Sequence, residues 1–294
     1  MPVPGYSDSL FSLRATLARF AVLLAMASVA QAQTQASCTF TMLDLPGPST
    51  SINDFGTIVG GAGTKGYIRY AGGGVTYYSV PSASSTSFND RNNNGVSVGT
   101  YLSPGSQLPK GFMLDGSTPT SVVPPGATQG TYIGRINKWS SIIGYYGTAQ
   151  LHGFKRYSNG SFITLDFPGA ASTTPTGQND NGMVVGSVVG LKGSVAVNGF
   201  VYYKGQWATL NYPNAVITEP WGISNSGAII GNAELFGMGA KVPFLYQNGT
   251  FKFISVPNAQ ANSTFVWGIS SRQGIILGTV SLSTGGKSFI AKCN

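Results

Sequence analysis

Charge is scarce in this 294-residue chain: Asp, Glu, Lys and Arg together make up 9% of it, against 42% hydrophobic residues. Histidine occurs once, as His152, and cysteine twice, as Cys38 and Cys293. Two Cys and one His cannot furnish a four-ligand zinc site, and no Gly-x-Ser-x-Gly elbow or His-Glu-x-x-His spacing occurs. Neither a metal nor a cofactor is therefore expected. The basic residues stand singly apart from Lys155-Arg156, so the clustered stripe that a nucleic-acid surface needs is missing. The longest apolar run near the start, Phe20 to Val29, is shorter than the roughly 20 residues that cross a bilayer.

What the chain has in excess is glycine, 41 residues, together with 14 Tyr, 16 Phe and 4 Trp. Aromatics in this number exclude disorder as the main state, and glycine at this level argues against helical bundles while suiting turns and short strands. Residues 1–32 read separately from the rest. Arg14 and Arg19 precede the apolar run, and Ala30-Gln31-Ala32 supplies small residues at the expected cleavage point, the order of a secretory signal. The reading is a secreted or periplasmic protein whose mature part, 33–294, is one domain carrying a net charge of +7.

A turn followed by an apolar strand and a glycine recurs along the mature chain. Ile52-Asn53-Asp54-Phe55-Gly56-Thr57-Ile58-Val59-Gly60 is its fullest form, and the closing glycines are Gly60, Gly99, Gly144, Gly186, Gly231 and Gly278. A second strand follows each, as in Gly153-Phe154-Lys155-Arg156-Tyr157. A third ends at Pro46, Pro81, Pro124, Pro168, Pro213 or Pro257, where the missing N–H stops an edge strand. A shorter stretch such as Thr131 to Ile136 comes before the next turn. Four strands in roughly 45 residues is the period of a propeller blade. The expected fold is thus an all-β six-bladed propeller with four-stranded blades.

The ends of the chain complete the ring. The sixth repeat stops after Ser288-Phe289-Ile290-Ala291 without an outer strand, and Thr39 to Leu45, at the start of the mature chain, fits the vacancy. Antiparallel pairing there sets Cys38 opposite Cys293, so a disulfide is expected in an oxidising compartment.

The repeats resemble those of the extracellular HAF family. The likeness is strongest at Ile52 to Gly60, at His152-Gly153-Phe154 and at Phe162-Ile163-Thr164-Leu165-Asp166-Phe167-Pro168-Gly169-Ala170. It implies a secreted, propeller-like protein and no particular activity. Two departures stand out: Asn89 to Gly95 reads as three residues longer than Asn53 to Gly56, and Lys138-Trp139 as an enlargement of the third turn.

His152 shares its repeat position with Lys65, Lys110 and Asn198, which suits an exposed strand start better than a general base. Most carboxylates fall at repeated turn or strand-end positions, where they bond backbone N–H groups. Glu219 and Glu234 do not, and could form a ring-facing carboxylate pair for a polysaccharide hydrolase or lyase. The main reading is a non-enzymatic, monomeric binding module for a polysaccharide or for an envelope or extracellular protein. Its candidate ligand-binding residues are Trp221 and Trp267, which precede Gly-Ile-Ser in two repeats in register with Ile133 and Thr176, and the cluster Tyr132, Arg135 and Trp139. Wedge filling between blades is the competing account of the two tryptophans.

Overall fold

The computed structural model describes residues 33–191, 196–237, 239 and 241–293. The expected secretory signal, 1–32, lies outside them. The described residues form a six-bladed propeller in which each blade is an antiparallel sheet whose strands run in order from the axis outward. Blade 1 comprises Ser49–Ile52, Ile58–Ala62, Lys65–Arg69 and Val75–Tyr78, and blade 2 Ser85–Arg91, Ser97–Leu102, Lys110–Asp115 and Thr118–Val122. Blade 3 is Thr131–Ile136, Ile142–Gly147, Leu151–Arg156 and Phe162–Thr164; blade 4 is Ser172–Gln178, Val184–Val189, Asn198–Tyr203 and Gln206–Leu210. Blade 5 holds Ala215–Ile223, Ile229–Leu235, Lys241–Gln247 and Thr250–Phe253. Blade 6 has Phe265–Ile269, Ile276–Leu282 and Gly285–Cys293 from the end of the chain, and Cys38–Leu43 as its outer strand.

That outer strand pairs antiparallel with Gly285–Cys293 in the register Cys38 to Cys293 through Leu43 to Ser288, and the two cysteines are joined by a disulfide. The amino-terminal segment also does something the sequence did not announce. Thr34 and Gln35 add a short parallel strand to the outer edge of blade 5, where Ala36 N–H donates to Phe253 O at 2.8 Å. One segment thereby covers an exposed sheet edge on blade 5 and completes blade 6.

The repeated glycine has a steric origin. Each closing glycine faces an aromatic residue on the next strand: Gly60 faces Tyr67, Gly99 Phe112, Gly144 Phe154, Gly186 Phe200, Gly231 Phe244 and Gly278 Phe289. A Cβ on Gly60 would lie 2.0 Å from Pro48 O and 2.9 Å from the Tyr67 ring. The ring fills the place of the absent side chain, and all six aromatics are buried. Around them the apolar residues gather into six clusters, one between each pair of neighbouring blades. The core is a circle of wedges, so no blade buries its faces alone.

Candidate functional site

The turn between the first and second strands of each blade builds one face of the ring. In blade 1 the Asn53 side-chain oxygen accepts the N–H groups of Phe55 and Thr57, both at 3.0 Å. Asn92, Asn137 and Asn179 hold their turns the same way. This corrects the alignment read from sequence. The partner of Asn53 in blade 2 is Asn92 and not Asn89, so that turn carries no insertion, and the Lys138-Trp139 turn is no longer than its neighbours.

Hydrogen bonds link the turns to one another around the whole ring. Asp54 of blade 1 accepts Arg272 N–H of blade 6 at 2.7 Å and the Asn93 amide of blade 2 at 2.6 Å. Asp180 of blade 4 likewise accepts Lys138 N–H of blade 3 at 2.9 Å and the Asn225 amide of blade 5 at 2.8 Å. Two carboxylates on opposite blades thus each clasp three turns. Blades 2 and 3 are joined by Asn94 to Lys138 O at 2.8 Å, and blades 5 and 6 by Asn225 N–H to Ser271 O at 2.6 Å. Trp139 projects from this face, 62% exposed, with its indole N–H on Asp180 O at 3.1 Å.

The axis is organised by a second repeated feature. Every innermost strand has a bulge just before its turn, with Thr50, Asn89, Gly134-Arg135, Thr176, Trp221 or Trp267 out of register. A bulge leaves backbone groups without a ladder partner. Arg135 supplies partners at the centre. Its Nη1 donates to Asn89 O at 3.1 Å and Gly134 O at 3.3 Å, and its Nη2 to Thr50 O at 3.0 Å, Trp221 O at 3.3 Å and Trp267 O at 2.5 Å. One guanidinium therefore lies across the axis and binds carbonyls from blades 1, 2, 3, 5 and 6. Gly177, Gly222 and Gly268 occupy the equivalent place to Arg135 in blades 4, 5 and 6, where a Cβ would press on the innermost strand of the next blade, at Gly222, Ile269 and Ser51 respectively.

The charge of Arg135 is balanced by buried Asp90 at the same position in blade 2. Asp90 accepts Ser51 Oγ–H at 2.5 Å, Ile136 N–H at 2.9 Å and Arg91 N–H at 2.9 Å. Burial raises the Asp90 pKa, and the Arg135 charge and these hydrogen bonds act in the opposite sense. Burial lowers the pKa of Arg135, while the Asp90 charge raises it.

The tryptophans meet edge to face, with ring centroids 5.5 Å apart, and Phe265 stacks on Trp267 at 5.8 Å. Trp221 also packs against the apolar cluster between blades 5 and 6. Thr176 holds the Trp register, as the sequence indicated, but Gly134 and not Ile133 does so in blade 3. The five candidate residues accordingly divide four ways: Trp221 and Trp267 pair between blades 5 and 6, Arg135 holds the axis, Trp139 stands on the turn face, and Tyr132 borders a cleft. Tyr132 lies with residues that sequence reasoning missed.

Tyr132 stacks on Tyr145 at 4.8 Å and borders a cleft of about 650 Å³ at the end of the ring opposite the turns. The other walls come from blades 1 and 2 and include Thr50, Ser87, Thr100, Tyr101 and Gln107. The loop 103–109 forms one side; its length relative to Gly63–Thr64 in blade 1 is the signal that could have located the cleft. Of the enzyme candidates, Glu219 lies 3.6 Å from Lys241 on the innermost strand of blade 5, and Glu234 sits on the neighbouring strand opposite Ile217. His152 pairs with Asp166 at 2.7 Å on the ring's exterior. No group of three or more His, Cys, Asp or Glu residues able to hold a metal occurs among the described residues.

The fold, as distinct from the site, is shared with solved structures at low sequence identity. A putative TolB from Agrobacterium tumefaciens has a TM-score of 0.58 at 9% identity, covering 88% of this chain and 98% of that one. TolB from Acinetobacter baumannii gives 0.52 at 12%, covering 82% and 65%, and a streptogramin B lyase gives 0.50 at 12%, covering 87% and 98%. No protein-family model matches the chain, and no curated protein matches it in sequence. The likeness shows the propeller fold, which here is common to an enzyme and to TolB proteins.

Proposed function

We propose that this protein is an exported, non-catalytic recognition module of the HAF-repeat kind, whose ligand is a carbohydrate held at the end of the ring opposite the turns. The observation that carries the reading is a roomy, tyrosine-bordered cleft beside an axis already filled by Arg135. The groups best suited to chemistry have structural partners: Asp90, Asp54 and Asp180 bond backbone and amide N–H groups, and His152 pairs with Asp166. A rigid frame with contacts supplied by loops is the usual arrangement of a binding protein. No helix of the described residues is long and apolar enough to cross a membrane. The leader at 1–32 would deliver the protein to the periplasm or the exterior.

A polysaccharide lyase or hydrolase is the second reading. Glu219, a third exposed beside Lys241, and the likeness to a protein named as a lyase favour it. The two readings separate in one experiment. Incubation with a polysaccharide panel should give retention without product; release of new reducing or unsaturated ends, abolished by Glu219→Gln or Glu234→Gln, would establish the enzyme instead.

A further inference from the structure

Every residue lining the cleft between blades 1, 2 and 3 is uncharged. Its volume of about 650 Å³ falls within the roughly 300–1,000 Å³ of small-molecule sites. What faces it is of two kinds. Tyr101 and Tyr132 provide aromatic rings, and neither phenol has a protein hydrogen-bond partner among the described residues. Gln107 adds an amide that both donates and accepts, while the hydroxyls of Thr50, Ser87 and Thr100 donate to Val59 O, Phe88 O and Asn89 Oδ1 and offer their oxygens as acceptors. Tyr132 is braced by its stack on Tyr145, and Tyr101 by an edge contact of 6.2 Å with buried Phe112.

This lining suits one chemistry. A sugar ring presents an apolar C–H face to a tyrosine and hydroxyls to Ser, Thr and Gln. A uronate or sulfated sugar would bring an anion into a cleft without Lys or Arg, where an unpaired charge is strongly disfavoured. Resting on the carbohydrate reading above, we infer that the blade 1–3 cleft is a binding site for neutral saccharides, with Tyr101 and Tyr132 as stacking platforms and Gln107 as a specificity-setting contact. The tryptophan pair of blades 5 and 6 lies outside this lining. The net positive charge of the whole chain draws anionic polymers as well, but through screened surface attraction that salt removes.

The test is affinity electrophoresis of the exported protein in gels containing neutral xylan, β-glucan or mannan, or acidic pectate or alginate, each at low and high salt. Retardation by a neutral polymer that persists at high salt is expected. It should weaken roughly tenfold or more in Tyr101→Ala. Gln107→Ala, on an exposed loop, should weaken it with an unchanged Tm, which separates lost contact from lost folding. Salt-sensitive retention by acidic polymers alone would overturn the neutral-saccharide site while leaving a polysaccharide-binding protein. So would neutral binding that ignores both cleft variants and is lost in the Trp221→Ala/Trp267→Ala double variant. Retention by no polymer would overturn the carbohydrate reading and this site with it.

Discussion

The Asp54 carboxylate accepts the Arg272 backbone N–H at 2.7 Å, bonding residues 218 positions apart and fastening the first blade to the last. The same carboxylate takes Gln273 N–H at 3.2 Å and the Asn93 amide at 2.6 Å, so one small side chain holds three blades together.

Replacing Asp54 by Ala should consequently destabilise far more than replacing exposed Asp115. The donors to Asp54 come from exposed Arg272 and Gln273 and half-buried Asn93, so each lost partner costs toward the low end of about 1–3 kcal/mol, and a total of about 2–4 kcal/mol is expected. Urea denaturation of Asp54→Ala and Asp115→Ala measures the difference. Equal midpoints would show that the turns are held by their apolar bases alone.

At the axis, Arg135→Met should destabilise by about 3–5 kcal/mol, because it strips the charge partner of buried Asp90 and the donors of the bulge carbonyls. Asp90→Asn added to Arg135→Met should recover part of that loss, since the uncompensated charge disappears while the carbonyls stay unpaired. A double-mutant cycle by thermal or urea unfolding reads both quantities. Strict additivity of the two substitutions would refute electrostatic coupling across the axis.

The Cys38–Cys293 disulfide closes a loop with a sequence separation of 255. Chain entropy alone gives it an upper value of roughly 5 kcal/mol. The paired strands Cys38–Leu43 and Gly285–Cys293 already hold the ends in register. We expect the reduced protein, or Cys38→Ser/Cys293→Ser, to stay folded with an unfolding free energy lower by about 2–5 kcal/mol, read from urea denaturation. Loss of cooperative unfolding on reduction would mean that the strand pairing cannot close the ring unaided.

Alkaline pH should weaken the fold in a defined window. Burial pushes Tyr67 and Tyr212 from 10.0 up to about 12. Below the unfolded value both phenols are neutral in either state and this source of stability is fully present. As pH rises from there through the folded value, the unfolded chain ionises first, so stability falls. Denaturation midpoints taken across that interval should decline, and Tyr67→Phe should flatten the decline. A flat profile in the native protein would show these phenols to be free to ionise.

Much of the fold was legible because its determinants are local and repeated. The Gly60–Tyr67 pair and its five counterparts leave a glycine and an aromatic at fixed places in every repeat, and Pro46 and its equivalents mark every outer strand. The closure of blade 6 could be read from an orphan strand at each end. The turn asparagine of blade 2 was taken to be Asn89 because Asn89-Asp90 repeats the Asn53-Asp54 pair, and only the hydrogen bonds from Asn94 and Val96 N–H to the Asn92 side chain show where the turn begins. The blade 5 addition at Thr34 and Gln35 left no pattern, since two residues have no period. The cleft was invisible for another reason: Ser87, Thr100 and Tyr101 are unremarkable strand residues that become a site only when three blades converge. Arg135 was singled out for its place beside the Lys138-Trp139 turn, but its bonding to five blades depends on bulges that sequence does not mark.

By lying across the axis, Arg135 also insulates the two ends of the molecule from each other. Its guanidinium, bonded to carbonyls of five blades, stands between the asparagine-bound turns and the tyrosine-bordered side. A partner docked on Trp139 and a saccharide on Tyr101 would be independent tenants, able to bind at the same time and to change in specificity separately.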